Sequence, residues 1–251
     1  VGVTWGPREK IRLYASWGQG FLPPVTEELG ANPVALGGFN QSLIPATSSG
    51  EEVGARGSLG NRFFYETSFF HLDTKNDFER YRLTARPLET FYRNAGQSRR
   101  FGLETSFKWL PTNRITLSGA YTYSHFTYRN YVSMTYPGNL TGHRLPNSPA
   151  QQLFADAQLE FPRSFFLGLS VQAYSRAYVD ATNQTWIDGY GLLDARFGKT
   201  WQRRRIYGTL FVAGKNLTSK EYIAFTEPDP DGNSYQPGPT REVFVGLQIR
   251  F

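Results

Sequence analysis

Apolar and polar residues alternate along most of this chain. The last segment, TREVFVGLQIRF, is the cleanest: Val243, Val245, Leu247, Ile249 and Phe251 fall on one side, and Glu242, Gly246, Gln248 and Arg250 lie on the other with Phe244. A period of two is that of a β-strand. QQLFADAQLEF sets Leu153, Ala155, Ala157, Leu159 and Phe161 against Gln152, Asp156, Gln158 and Glu160, interrupted only by Phe154. Its neighbour FFLGLSVQAYS sets Phe165, Leu167, Leu169, Val171 and Ala173 against Gly168, Ser170, Gln172 and Tyr174. FGLETSFKW and RITLSGAYTYS repeat the pattern. A half-buried strand of a soluble sandwich carries the same alternation. Repetition at about 9 to 11 residues, the length of a tilted membrane-crossing strand, favours a barrel with an apolar outside and a wet lumen.

The pattern predicts eleven strands, at about 1–6, 10–18, 50–59, 62–73, 98–110, 114–127, 150–161, 164–178, 188–199, 204–214 and 240–251. Their connections alternate in length. The turns PRE, GN, LPTN, PRS and WQRR are short, whereas loops near 19–49, 74–97, 128–149, 179–187 and 215–239 are mostly long. Outer-membrane barrels have short periplasmic turns and longer extracellular loops, so the C-terminus is expected in the periplasm. An odd strand number does not fit a closed bacterial barrel, and unpaired backbone in lipid costs several kcal/mol per group. The expectation is therefore an all-β, antiparallel transmembrane sheet forming an open half-barrel, with free edges at 1–6 and 240–251. Further strands and a signal peptide are expected before Val1, because the chain opens on VGVTWGPREK, already strand-like.

Composition narrows the chemistry. Twenty Phe, 15 Tyr and 5 Trp accompany a hydrophobic fraction of only 39%, and no run approaches the roughly 18 apolar residues of a membrane helix. There is no Cys, which excludes disulfides and thiolate chemistry. The net charge of +6 is scattered except at Arg203, Arg204 and Arg205, a tight turn, so no nucleic-acid partner is expected. His71, His125 and His143 lie in three segments at no zinc-like spacing. Asp73, Asp77 and Glu79, and the tract EPDPDG, read as solvated loop regions, with cation binding the minor reading. Arg56, Glu104, Lys108, Asp156, Glu160, Asp194 and Arg196 fall on the lumenal side, where charges pair across strands or meet a plug. No nucleophile elbow, phosphate-binding glycine pattern or paired catalytic carboxylates occur, so no enzyme and no cofactor is expected.

Six blocks give the chain a resemblance. LYASWGQGFLPPVTEEL (13–29), SSGEEVGARGSL (48–59), FYRNAGQSRRFGLETSFKW (91–109), HRLPNSPAQQLFA (143–155), FVAGKNLTSKEY (211–222) and PGPTREVFVGLQIRF (237–251) follow one another in order. They resemble the C-terminal half of the barrel of TonB-dependent outer-membrane receptors, especially those for iron siderophores. The resemblance implies a barrel of about 22 strands, of which residues 1–251 are the C-terminal part, with the plug domain, the TonB box and the N-terminal strands lying outside this sequence. It implies import of a ferric siderophore driven through TonB. Partners would then be the chelate, the plug and N-terminal barrel half, the TonB complex, the barrel assembly machinery and outer-membrane lipid. Phe251 is similar to the family's terminal assembly signal.

Ligand contact is sought at the extracellular end. Trp17, Phe21, Phe39, Tyr92, Tyr128, Tyr131 and Tyr136 offer aromatic surface there, and Arg93 and Arg144 suit an anionic chelate. Alternatives are a passive porin or structural barrel, or a receptor of the same kind for haem, cobalamin or oligosaccharide.

Overall fold

A computed structural model describes residues 1–8, 10–136, 138–230 and 232–251, with the side chains of Pro7 and Arg8 left aside. The PRE turn and the EPDPDG tract contain Glu9 and Asp231, which lie outside the described residues. In chain order the elements are β1 (Gly2–Arg8), β2 (Ile11–Leu22), a short helix α1 (Thr26–Leu29), β3 (Ala46–Leu59), β4 (Phe63–Lys75), β5 (Phe78–Leu83), β6 (Arg86–Asn94), β7 (Gln97–Thr112) and β8 (Ile115–Asn130). There follow β9 (Gln151–Phe161), β10 (Phe165–Tyr174), β11 (Ala177–Tyr178), β12 (Trp186–Ile187), β13 (Tyr190–Arg203), β14 (Ile206–Lys215), β15 (Ile223–Asp229), β16 (Gly232–Pro237) and β17 (Glu242–Arg250).

Eleven strands form one antiparallel sheet in the order β1-β2-β3-β4-β7-β8-β9-β10-β13-β14-β17. Each of the eleven predicted strands is present, and β1 and β17 pair on one side only. Two expectations change. β2 and β3 run to Leu22 and from Ala46, paired residue for residue from Ile11↔Gly57 to Leu22↔Ala46, because the polar ladder continues beyond the apolar band that ended the prediction. Three of the long connections carry two-stranded sheets, β5-β6, β11-β12 and β15-β16, and the strand predicted over 164–178 accordingly ends at Tyr174, with Ala177–Tyr178 in β11.

The register sorts side chains into two faces. Val243, Val245, Leu247 and Ile249 stand beside Gly214, Val212, Leu210 and Gly208, and the same face continues through Phe197, Leu169, Ala157 and Leu117. Val245 is 72% and Leu247 61% exposed to the surroundings. Leaving each such side chain in water would forfeit roughly 1.5–3 kcal/mol of burial, so this face needs an apolar medium. The opposite face carries Glu52, Glu66, Glu104, Asp156 and Arg196.

Aromatic residues on both faces stand directly opposite glycines. On the polar face the pairs are Tyr14↔Gly54, Phe70↔Gly102, Phe166↔Gly198 and Phe211↔Gly246. A Cβ on any of these glycines would overlap the facing ring, so each ring lies flat across the neighbouring strand. Arg196 completes one such floor, its guanidinium 3.7 Å from the Phe211 ring centroid and 5.5 Å from that of Phe166.

The buried apolar core is not within the sheet. It sits at the long-loop end, where Tyr131, Leu140 and Ala181 pack with Ala95, Tyr128 and Tyr136. Asn216, at the exit of β14, adopts φ of 47° and donates its Nδ2 to the carbonyls of Lys220 (2.9 Å) and Pro239 (3.1 Å).

Candidate functional site

Charged side chains tie the long loops together. Glu79 on β5 is 5% exposed. Its carboxylate accepts from Arg93 Nε at 2.7 Å, from the Ser133 hydroxyl, and from the backbone N–H groups of Met134 (2.9 Å) and Thr135 (3.3 Å). A buried carboxylate is tolerable because it is paired and its lone pairs are filled. Arg80, next in sequence, reaches the β15-β16 hairpin: it donates to the Pro228 carbonyl (2.7 Å) and to Glu227 (3.3 Å), with Asp229 at 3.7 Å. Arg86 donates to the carbonyls of Asn32 (3.0 Å) and Pro33 (2.6 Å) while lying 4.4 Å from the Phe91 ring centroid. Asn147 and the buried Thr226 bond to each other between two further loops.

Sequence reasoning placed ligand candidates at this end, and the structure divides them. Tyr128 and Tyr131 stack at 4.4 Å, with Tyr136 packed alongside. Burial raises the phenol pKa of Tyr131 and of Tyr136. Arg93 is held by Glu79 and by the Val132 carbonyl. Tyr92 is buried on β6, its hydroxyl donating to Glu27 at 3.4 Å. These five residues belong to one packed cap, and Phe39 is exposed on the loop between β2 and β3. Trp17 and Phe21 stand on the apolar face of β2, in line with Ala15 and Leu13. Arg144 joins that face too, donating to His125 Nδ1 at 2.7 Å, where His125 stacks on Phe101. Phe251 ends the chain exposed.

A second group went unremarked in the sequence. Tyr174 and Tyr190 face each other across β10 and β13 with centroids 5.1 Å apart, and Tyr222 packs on Tyr190 at 4.4 Å. Burial raises the Tyr222 phenol pKa. Tyr190 and Tyr222 line an open cavity of about 660 Å³ together with Trp186, Tyr235 and Lys220. The only trace of it in the sequence is a set of aromatics bracketing two loops, at spacings that no motif marks. Flat π faces suit a bulky, planar or chelated ligand, and the lining carries charge of both signs, the Lys220 ammonium beside the carboxylates of Asp188 and Glu221. No group of three or more His, Cys, Asp or Glu side chains placed to hold a metal occurs among the described residues.

Residues 1–217 match the family described as TonB dependent receptor-like, beta-barrel. The chain is similar to the probable TonB-dependent siderophore receptor PiuA of Acinetobacter baumannii, 23% identical over 203 residues that make up 78% of this chain and 26% of that protein. Among solved structures it is similar to BauA, the ferric preacinetobactin receptor of Acinetobacter baumannii, with a TM-score of 0.75 and 21% identity over 98% of this chain and 35% of that one. It is also similar to FyuA, the ferric yersiniabactin uptake receptor of Yersinia pestis, with a TM-score of 0.73 and 19% identity over 99% of this chain and 36% of that one. The chain thus spans about a quarter to a third of the length of these relatives.

Proposed function

Because the chain belongs to the TonB-dependent receptor-like β-barrel family, whose place is the outer membrane, we propose that residues 1–251 are the C-terminal part of the barrel of an active-transport receptor that imports a ferric siderophore. The sheet supplies one side of the wall. A plug domain and the N-terminal strands complete it, and TonB-supplied energy acts on the plug. The function is transport, not catalysis. The observation that carries the ligand half of this reading is the aromatic cavity at the long-loop end, with Tyr190, Tyr222, Trp186 and Tyr235 around Lys220.

In this reading a ferric chelate settles from outside onto stacked rings, with Lys220 the cation of the lining and Asp188 and Glu221 its carboxylates. The iron travels as part of the ligand. The cap around Glu79 holds the neighbouring loops in place, so the cavity wall needs no reordering when the ligand arrives, which lowers the cost of binding. Short turns lie on the periplasmic side, as does the C-terminus, and Phe251 is the residue offered to the barrel assembly machinery.

The test uses the full receptor containing this chain. Ferric siderophores are screened for binding by intrinsic fluorescence quenching and for uptake under iron limitation, with and without a functional TonB. Tyr190→Ala combined with Tyr222→Ala should weaken binding about tenfold, from the loss of two ring contacts each worth roughly 0.5–1.5 kcal/mol. Solute-independent conductance in planar bilayers, with uptake indifferent to TonB, would mean a passive pore and end this reading.

A further inference from the structure

The apolar face changes character at its long-loop end, but only over β2, β3, β4, β7 and β8. The register sets Trp17, Glu51, His71 and Phe101 on one rung and Ser49, Asp73 and Arg99 on the next. Arg99 donates through Nε (2.7 Å) and Nη2 (2.8 Å) to the Asp73 carboxylate. His71 Nδ1 lies 2.9 Å from Glu51 and Nε2 3.5 Å from Asp73. The Trp17 indole N–H donates to the Ser49 hydroxyl at 3.2 Å. Over β13, β14 and β17 the same face carries no charged side chain from above Lys199 to its upper rungs among the described residues, ending on Leu193 and on Gly214 beside Val243. The charges therefore form a local patch and not a uniform rim.

Its two carboxylates are already taken by Arg99 and His71. Around them stand cations with no carboxylate in ion-pair reach among the described residues. Lys75 is exposed one rung above Asp73, Arg129 is exposed with its charge bearing on Asp73, and Arg144 is held between His125 and the Ser124 carbonyl. We infer that this patch binds the phosphate-bearing headgroup of an anionic lipid in the leaflet on the long-loop side. A guanidinium fork matches phosphate oxygens, and a cation near a membrane surface attracts anionic lipid. Trp17, at the edge of the apolar band, sits where indoles mark the headgroup level. Asp73 and Glu51 fix the centre of the patch and repel phosphate, so the contacts fall to Arg129, Arg144 and Lys75 at its margin. The inference rests on the membrane placement of the sheet and is independent of what the receptor imports.

The test is native mass spectrometry of the full receptor released from detergent with phosphatidylglycerol or phosphatidylcholine. Wild type should retain phosphatidylglycerol in preference. Arg129→Gln with Arg144→Gln should lower that retention roughly 25-fold, about fivefold per cation. Lys199→Gln, on the same face at the short-turn end, should leave it unchanged. Lys75→Gln with Arg129→Gln, which breaks no hydrogen bond, repeats the measurement should the first pair fail to fold. Equal retention of both lipids by wild type, or unaltered retention in a folded double variant, would overturn the proposal. So would complete displacement of the lipid by an equal concentration of inorganic phosphate, which would make this a site for the free ion.

Discussion

At the scale of single residues, the sheet is governed by glycines that receive a ring from the next strand. Gly102 is doubly hemmed in: a methyl group there would meet both the Phe70 ring and the Tyr123 carbonyl. Gly102→Ala should destabilise the folded receptor by about 1–3 kcal/mol, as overpacking does, and lower the temperature at which its unheated gel mobility is lost. The buried phenols make a different prediction. Burial raises the pKa of Tyr131 and Tyr136, so the folded cap favours their neutral forms. Their contribution is complete below the ordinary phenol pKa of about 10 and is lost as pH rises through the higher folded value. Absorbance titration at alkaline pH should show these two ionising after the exposed tyrosines, and Tyr131→Phe should delete one late-titrating phenol.

At the scale of elements, Arg80 joins two hairpins whose parent strands stand well apart in the sheet, β5-β6 after β4 and β15-β16 before β17. Arg80→Ala should loosen the β15-β16 hairpin around Glu227–Asp229, with Asn147 still bonded to Thr226, while leaving the sheet intact. Hydrogen exchange should quicken over residues 223–237 and stay unchanged over β7 and β8; uniform protection would mean that the hairpin is held without this link. These hairpins show why part of the structure was legible and part was not. Membrane strands must alternate, because one face meets an apolar medium, and that obligation writes a period of two into Val243–Phe251 and its neighbours. FERYRL and GNSYQP answer to no such medium: they pair with β6 and β15 at the long-loop end, FERYRL with charges on both sides and GNSYQP polar without charge. Tyr190 reads as one more strand residue until register puts it opposite Tyr174 and the β14-β17 connection brings Tyr222 onto it. Arg144 sits in a loop by sequence, and only the backbone pairing of residues 143–145 along β8 reveals that it stands on the apolar face.

At the scale of the whole molecule, the alternation of short turns and long loops sufficed to order all eleven strands of the sheet, since each hydrogen-bonds only to neighbours reached without crossing over. That topology also decides how the wall yields to mechanical load. Pulling on one edge peels rather than shears: bonds along a single strand boundary open in turn, and the remaining ladder stays closed until the tip of the spectroscope draws the next hairpin taut. Force–extension traces of the membrane-embedded receptor, pulled from its C-terminus, should show a sawtooth. The released length per tooth should follow the loops more than the strands, with long steps for β14 with β17 and β4 with β7, which carry β15-β16 and β5-β6, and a shorter one for β10 with β13. A single rupture spanning the sheet would mean that lateral bonds fail together, as they do in shear.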